Sequence, residues 1–382
     1  MAPYLTLKDL DVNGVRVLVR SDLNVPIDHG VVSDDFRIRA ALPTLEDLVS
    51  RGAAVTVVSH LGRPDGKDPS LSLRPVAERM DELTELDVRF ESVGEPLGDI
   101  TVLENTRFDP GETKNDPNTA SRLANGYEVF VQDAFGTVHR AHASTVGVAE
   151  RLQSAAGHLL ESELSALGRF VGDPESPYTV VLGGAKVSDK LGAIENLLPK
   201  VDRMLIGGGM CFTFLSAKGL EVGKSLVQDD MIEAVLGHLN GPDGHKVILP
   251  VDIATGTEFF EQTLRHVVAA EEIPTGSIGL DIGPESGAGF WELISSSRNV
   301  FWNGPMGVFE WEQFRNGTEQ VARAMAACDG FTAVGGGDSV AALRTLSLEG
   351  SVSHLSTGGG AGLEFLEGRV LPGVAVLERW VS

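Results

Sequence analysis

FTAVGGGDSVAALRTL, Phe331–Leu346, reads as a short apolar strand that stops at three glycines and restarts as a helix after Ser339. Phe331 to Val334 form the strand, and Val340, Ala341, Leu343, Arg344 and Leu346 carry the helical spacing. Glycine admits positive φ and lets a ligand approach the peptide N–H groups. A helix start adds unpaired donors and a partial positive charge, so an anion suits this junction. The same residues would also serve as a tight turn with Asp338 or Ser339 as N-cap. The stretch alone leaves both readings open.

The same grammar recurs along the chain: an apolar β-branched run, a Gly-rich or polar loop, then an amphipathic helix. The runs are VRVLVRSD (15–22), AAVTVVSH (53–60), ITVLENTR (100–107) and YEVFVQDAFG (127–136) in the first half. In the second they are YTVVLGG (178–184), RMLIGGG (203–209), HKVILPVD (245–252), NVFWNGP (299–305), FTAVGGG (331–337) and VSHLSTGGG (352–360). Continuous apolar strands alternating with helical patterns such as RAALPTLEDLVSRG (39–52) predict parallel sheets covered on both faces. The expected class is α/β, with two doubly wound, Rossmann-like lobes joined by a hinge helix. HLLESELSALGRFVGDPESP (158–177), closed by Gly172 and Pro174, supplies that connection. The expected division is an N-terminal lobe 1–155, an interlobe helix 156–172 and a C-terminal lobe 173–367.

At 382 residues and 42% hydrophobic, the chain can build two well-packed domains. No run of eighteen apolar residues marks a membrane span, and the start MAPYLTLKDLDVNGVRV lacks the basic region and apolar core of an export signal. Cys211 and Cys328 provide neither a disulfide framework nor a thiolate metal site. A cytoplasmic location is expected. A formal net charge of −23 disfavours nucleic acid but allows a small anion wherever cations are concentrated. Arg20, Arg37, Arg63, Arg107 and Arg140, each read in or just after a strand-like run, are such a concentration, although any one of them could be an ordinary surface ion pair.

In open parallel sheets ligands collect beyond the carboxyl ends of the strands. Glycine clusters at Gly183–Gly184, Gly207–Gly209, Gly335–Gly337 and Gly358–Gly360 follow strands, and four in one lobe favour an extended phosphate ligand such as a nucleotide. None matches G-x-G-x-x-G. GLEVGKS (219–225) imitates a phosphate loop but is one residue short and follows a predicted helix. GGAKVSDK places Lys186 and Lys190 four apart, read at a helix start, where a polyphosphate explains two lysines better than a solvated face does. His139, His142 and His60 lack a third ligand at metal spacing. Asp22 and Asn24 sit at a strand end, suited to turn formation or to hydroxyl recognition, and Glu310 is either a surface residue or an acceptor for ribose hydroxyls.

In order, RSDLNVP, SHLGRPDG, LENTRF, DAFGTVHRAH, GGAKVSDK, IGGGM, GLDIGP, WNGPMGVFEW, GGGDS and STGGGAG cover nearly the whole chain. The set closely resembles the phosphoglycerate kinases. The resemblance implies reversible phosphoryl transfer between 1,3-bisphosphoglycerate and MgADP, giving 3-phosphoglycerate and MgATP, by a monomer without nucleic-acid or membrane partners. It implies that Asp22, Asn24, His60, Arg63, Arg107 and Arg140 hold the phosphoglycerate, with Arg37 at its reacting carboxylate. Lys186, Lys190, Gly184 and Asn303 would lie at the nucleotide phosphates, Asp338 would hold Mg²⁺, and Ser339 with the backbone of Gly336 and Gly337 would meet phosphate oxygens. Glu310 would bind ribose, and Gly208, Gly279 and Leu280 would frame the adenine. Arg37, Lys190, Lys186, Gly337 and Gly360 are the residues expected at the transfer itself, and residues 368–382 are expected to pack back on the first lobe.

Departures from the family pattern are Ser339 for threonine, Gly362 for serine, a shortened ESVGEPLGDI segment (91–100) expected to lack a peripheral helix, and LLESEL (159–164) without its usual lysine. The chemistry suits the motifs. A carboxylate acceptor is ionised at neutral pH and needs no general base. Bringing a complex of roughly −2 charge within ~6 Å of one of roughly −3 costs about 4 kcal/mol even in water. Cations must therefore intervene, and Arg37, Lys190 and Mg²⁺ are the expected ones. A solute-binding protein would need export, and a dehydrogenase would need the dinucleotide fingerprint.

Overall fold

The computed structural model describes residues 4–91 and 98–380. The shortened segment before Thr101 falls largely on 92–97, outside the described residues. Contacts divide the chain into two units, Met1–Ser165 with Val370–Ser382, and Ala166–Arg369. The division falls inside the helix His158–Val171, at Ser165/Ala166 rather than at a loop.

The first unit contains β1 (Arg16–Ser21), β2 (Ile27–Asp28), β3 (Val31–Val32), β4 (Ala54–Val58), β5 (Val88–Glu91), β6 (Ile100–Leu103), β7 (Val129–Asp133) and β8 (Gln153–Ala156). Six of these make a parallel sheet in the order β5-β6-β4-β1-β7-β8, while β2 and β3 form a separate hairpin. Central strands read as unbroken apolar runs because both faces are covered: Val17 and Val19 are fully buried with Ile38, Leu45 and Leu48 of the helix Phe36–Ser50. From β1 the chain moves outward through β4 and returns to β7 on the other side. The carboxyl ends of β1, β4, β6 and β7 therefore open beside this reversal of strand order, where such sheets bind ligands. The chain end completes this unit. Gly373 N–H donates to Val138 O (2.8 Å), and Trp380 Nε1 donates to Ala149 O (2.9 Å).

The second unit contains β9 (Tyr178–Leu182), β10 (Arg203–Ile206), β11 (Val247–Ile248), β12 (Asp252–Gly256), β13 (His266–Ala269), β14 (Ile278–Ile282), β15 (Asn299–Asn303), β16 (Phe331–Gly335) and β17 (His354–Leu355). Its parallel sheet runs β11-β10-β9-β15-β16-β17, so β9 and β15 flank the strand-order reversal. Fully buried Tyr178, Phe301 and Trp302 anchor the core, and Phe170 packs its ring 5.6 Å from both Tyr178 and Phe301. A second sheet, β13-β12-β14, is antiparallel and is not expected from the repeating grammar. The strand β13 is mostly exposed, so it lacks the apolar run that marks the others. Among the described residues, no helix is long and apolar enough to cross a membrane.

Candidate active site

In the first unit the strand ends gather cations. Arg37 is the second residue of the helix Phe36–Ser50 rather than a strand-end residue, and it reaches back to β1. Its Nη1 lies 3.1 Å from Asp22 Oδ2 and donates to Asn24 O at 3.1 Å. Asn24 Oδ1 in turn accepts the Gly62 N–H at 2.9 Å, fixing the loop after β4. Arg107, in the turn Thr106–Phe108 after β6, donates to Gly62 O. Arg140 Nε bonds His139 Nε2 at 3.0 Å. Arg63, Arg107, Arg140, Thr113 and His142 line an open cleft of about 360 Å³.

Crowding of like charge is the cleft's electrostatic signature. Burial, then repulsion from Arg140 and Arg20, lowers Arg107 to about 10. Burial, then Arg20, Arg107, Arg37 and Arg140, holds the His60 imidazole well below its ordinary range. Burial, followed by Arg107, Arg20 and Arg140, brings His142 to about 4. Guanidinium groups held together at this cost are stabilised by an arriving anion. Beneath them lie two groups given no role from the sequence, Glu112 and Ser144; the N–H of Ser144 donates to Glu112 Oε2 at 3.0 Å.

In the second unit the glycine clusters divide into two kinds. Gly183, Gly208 and Gly304 pack backbone on backbone: an added Cβ would lie 2.2 Å from Pro305 O, 2.5 Å from Gly184 N and 2.4 Å from Gly183 O, respectively. The N–H groups of Gly184 and Gly208 are bonded to Pro305 O (2.8 Å) and Met306 O (3.0 Å). These clusters therefore have a packing role beside any ligand. At Gly337, Gly359 and Gly360 an added Cβ meets nothing within 4 Å, so this is where bare backbone faces open space. Gly336, at φ 87°, turns the chain into the helix Gly337–Thr345.

Lys186 and Lys190 precede the helix Leu191–Leu197 rather than occupying it, so the expected mutual repulsion on one helix does not arise. Lys186 is exposed, while Lys190 is buried at the N-cap and donates to Asn303 Oδ1. Burial lowers the Lys190 ammonium to about 8, against the opposing pull of Asp189 and Asp338. Asp338 is exposed in the first turn of its helix. The Ser339 side chain, expected at a phosphate, is instead fully buried, and its hydroxyl accepts the Gly304 N–H at 2.7 Å. The Leu280 side chain is in the core with Ala254 and Phe314, and Gly279 leaves room for the Phe212 ring, 2.0 Å from where a Cβ would stand. Glu310 is exposed in a turn. Asp281, unmarked in the sequence reading, is buried, accepts the Gly317 N–H at 2.8 Å and is raised to about 8 by burial.

Clustered arginines in one unit, and open glycine backbone with a buried lysine in the other, are groups that suit a phosphotransferase. The chain belongs to the phosphoglycerate kinase family: residues 7–369 match the family described as Phosphoglycerate kinase. It is 53% identical to the phosphoglycerate kinase of Rubrobacter xylanophilus over 97% of each chain. It is 51% identical to that of Thermus thermophilus over 98% of this chain and 99% of the relative. The solved structure of phosphoglycerate kinase from Coxiella burnetii superposes with a TM-score of 0.90 at 38% identity over all of both chains. That from Pyrococcus horikoshii gives 0.86 at 31% over 98% of each.

Proposed function

We propose that the chain moves a phosphoryl group reversibly between 1,3-bisphosphoglycerate and ADP, acting as a cytoplasmic monomer in glycolysis and gluconeogenesis. The observation that carries this reading is the pairing of a guanidinium-lined cleft in one unit with open glycine backbone and a buried lysine in the other. The first unit holds the phosphoglycerate through Asp22, Asn24, His60, Arg63, Arg107 and Arg140, with Arg37 directed at the carboxylate. The second binds the nucleotide: Lys186, Lys190, Asn303, Gly184, Gly336, Gly337 and Gly360 at the phosphates, Glu310 at the ribose, and the Gly208, Gly279 and Leu280 segments along the base. Ser339 acts here by holding the Gly304 N–H, which shapes the phosphate site from behind. Hinge closure upon binding both substrates precedes the transfer, which proceeds by electrostatic stabilisation without a general base.

The residues suit magnesium. Among the described residues no group of three or more His, Cys, Asp and Glu could cage a metal, whereas Asp338 is exposed beside the open glycines. One carboxylate plus substrate phosphates and water is the usual way a protein takes Mg²⁺. Bound there, the ion would neutralise phosphate charge. A coupled assay with 3-phosphoglycerate, ATP and Mg²⁺ tests the reading: turnover is expected with all three and lost on chelation, and retention of full turnover in excess chelator would refute the metal role. With MgATP alone, ATP hydrolysis is expected to be negligible, because the acceptor is what completes the site. Substantial hydrolysis without 3-phosphoglycerate would contradict closure.

A further inference from the structure

Beneath the guanidinium cleft, Arg20 and Glu112 are each fully buried. Two buried charges are a weak source of stability, so their presence beside a cleft invites another role. Ser144 joins them. Its hydroxyl donates to Glu112 Oε1 at 2.6 Å and accepts from Arg20 Nε at 2.9 Å. The other arms of the guanidinium are also held: Nη1 bonds Ser21 O and Ser59 Oγ, and Nη2 lies 3.0 Å from His60 Nδ1. A guanidinium has donors and no acceptor, so the Nδ1 it faces must offer a lone pair.

We propose that the buried chain Glu112–Ser144–Arg20 fixes His60 as the neutral tautomer with its proton on Nε2, a ready N–H donor for an anionic oxygen of the phosphoglycerate. The inference rests on the proposed function and deepens it. Arg20, at zero exposure, acts through His60 and is a positioning residue. The charges facing the imidazole, Arg20, Arg107, Arg37 and Arg140, all oppose a second ring proton. The donor is therefore set before the ligand arrives, without reorganisation.

The test uses the full chain with ¹⁵N-labelled histidine, His60 being assigned by its loss in His60→Gln. At pH 7 the wild-type ring is expected to show an unprotonated Nδ1 and a protonated Nε2, unchanged between pH 6 and pH 8. Ser144→Ala should mix the tautomers and raise KM for 3-phosphoglycerate about tenfold, with KM for ATP unchanged, and Ser144→Thr should restore both. A wild-type ring protonated on Nδ1, or on both nitrogens, at pH 7 overturns the proposal even if Ser144→Ala does not fold. So does a folded Ser144→Ala with the wild-type ring signature and KM. Either result with normal wild-type turnover leaves the proposed function intact, whereas absent turnover strikes that function and the ligand named for His60, the tautomer itself being decided by the ring signature.

Discussion

Lys190→Ala is expected to lower turnover by ~10²-fold or more, the scale of losing one charge-stabilising donor at a transferring group. Arg37→Ala should do the same in the other unit, and near-normal turnover in either variant would remove that residue from the transfer step. Lys190 carries a second, opposite expectation. Its ammonium is buried and titrates at about 8 in the folded chain, against a reference near ~10.4. Between those values the unfolded chain binds the proton and the folded chain does not, so wild-type stability should rise with pH across that window. Below about pH 8 the folded state bears the full cost of the buried charge, on the order of 3 kcal/mol. Lys190→Met, which keeps the packing, should therefore be more stable than wild type at pH 7, with the difference shrinking towards pH 10. Urea midpoints for the two proteins at both pH values decide the matter; a variant less stable at pH 7 would mean that the charge is compensated.

Glycines of the second unit should give opposite readouts under one substitution. Gly183→Ala drives a methyl to 2.2 Å from Pro305 O and 2.7 Å from Gly304 O, two backbone atoms that move only with the loop after β15. A loss of ~3 kcal/mol is expected, at the upper end for overpacking. Gly337→Ala meets no neighbour and stands at the first position of a helix, where alanine is the better former, so stability should hold or rise by up to ~1 kcal/mol. The same methyl would occupy space assigned to phosphate, and KM for ATP should rise by about tenfold. Thermal unfolding and steady-state kinetics on both variants separate the two roles; if Gly337→Ala bound ATP normally, the open backbone would not be the phosphate site.

Much of the fold was legible because each central strand is covered on both faces, which forces unbroken runs such as VRVLVRSD and YTVVLGG. Less legible were segments whose character comes from their neighbours. The strand β5, VRFE, interleaves charged with apolar residues, β8, QSAA, has only small and polar side chains, and β13 is mostly exposed, so none displays that run. The helix Phe36–Ser50 passes through Pro43, as its apolar spacing predicts and as proline alone would not. The candidate residues were readable as types, since arginines and glycines at strand ends announce anion chemistry. Their division of labour was not. A sequence does not distinguish a glycine pressed against another backbone, as at Gly208, from one facing open space, as at Gly360. Nor does it reveal that Ser339 turns inward or that Lys190 is buried. Glu112 lies in GETK, with nothing local to separate it from a surface carboxylate; only the tertiary fold places Ser144 against it.

The first unit is assembled from two separated stretches of the chain, whereas the second is one uninterrupted stretch, Ala166–Arg369. The second can therefore close on its own contiguous residues, whereas the first also needs Val370–Ser382, which lies beyond the whole of the second in sequence. Without that segment the carbonyls of Val138 and Ala149 lack the donors they receive from Gly373 and Trp380. Chain order thus leaves the arginine-bearing unit dependent on residues made after Ala166–Arg369, so removing Val370–Trp380 should weaken that unit while leaving the core of the other intact.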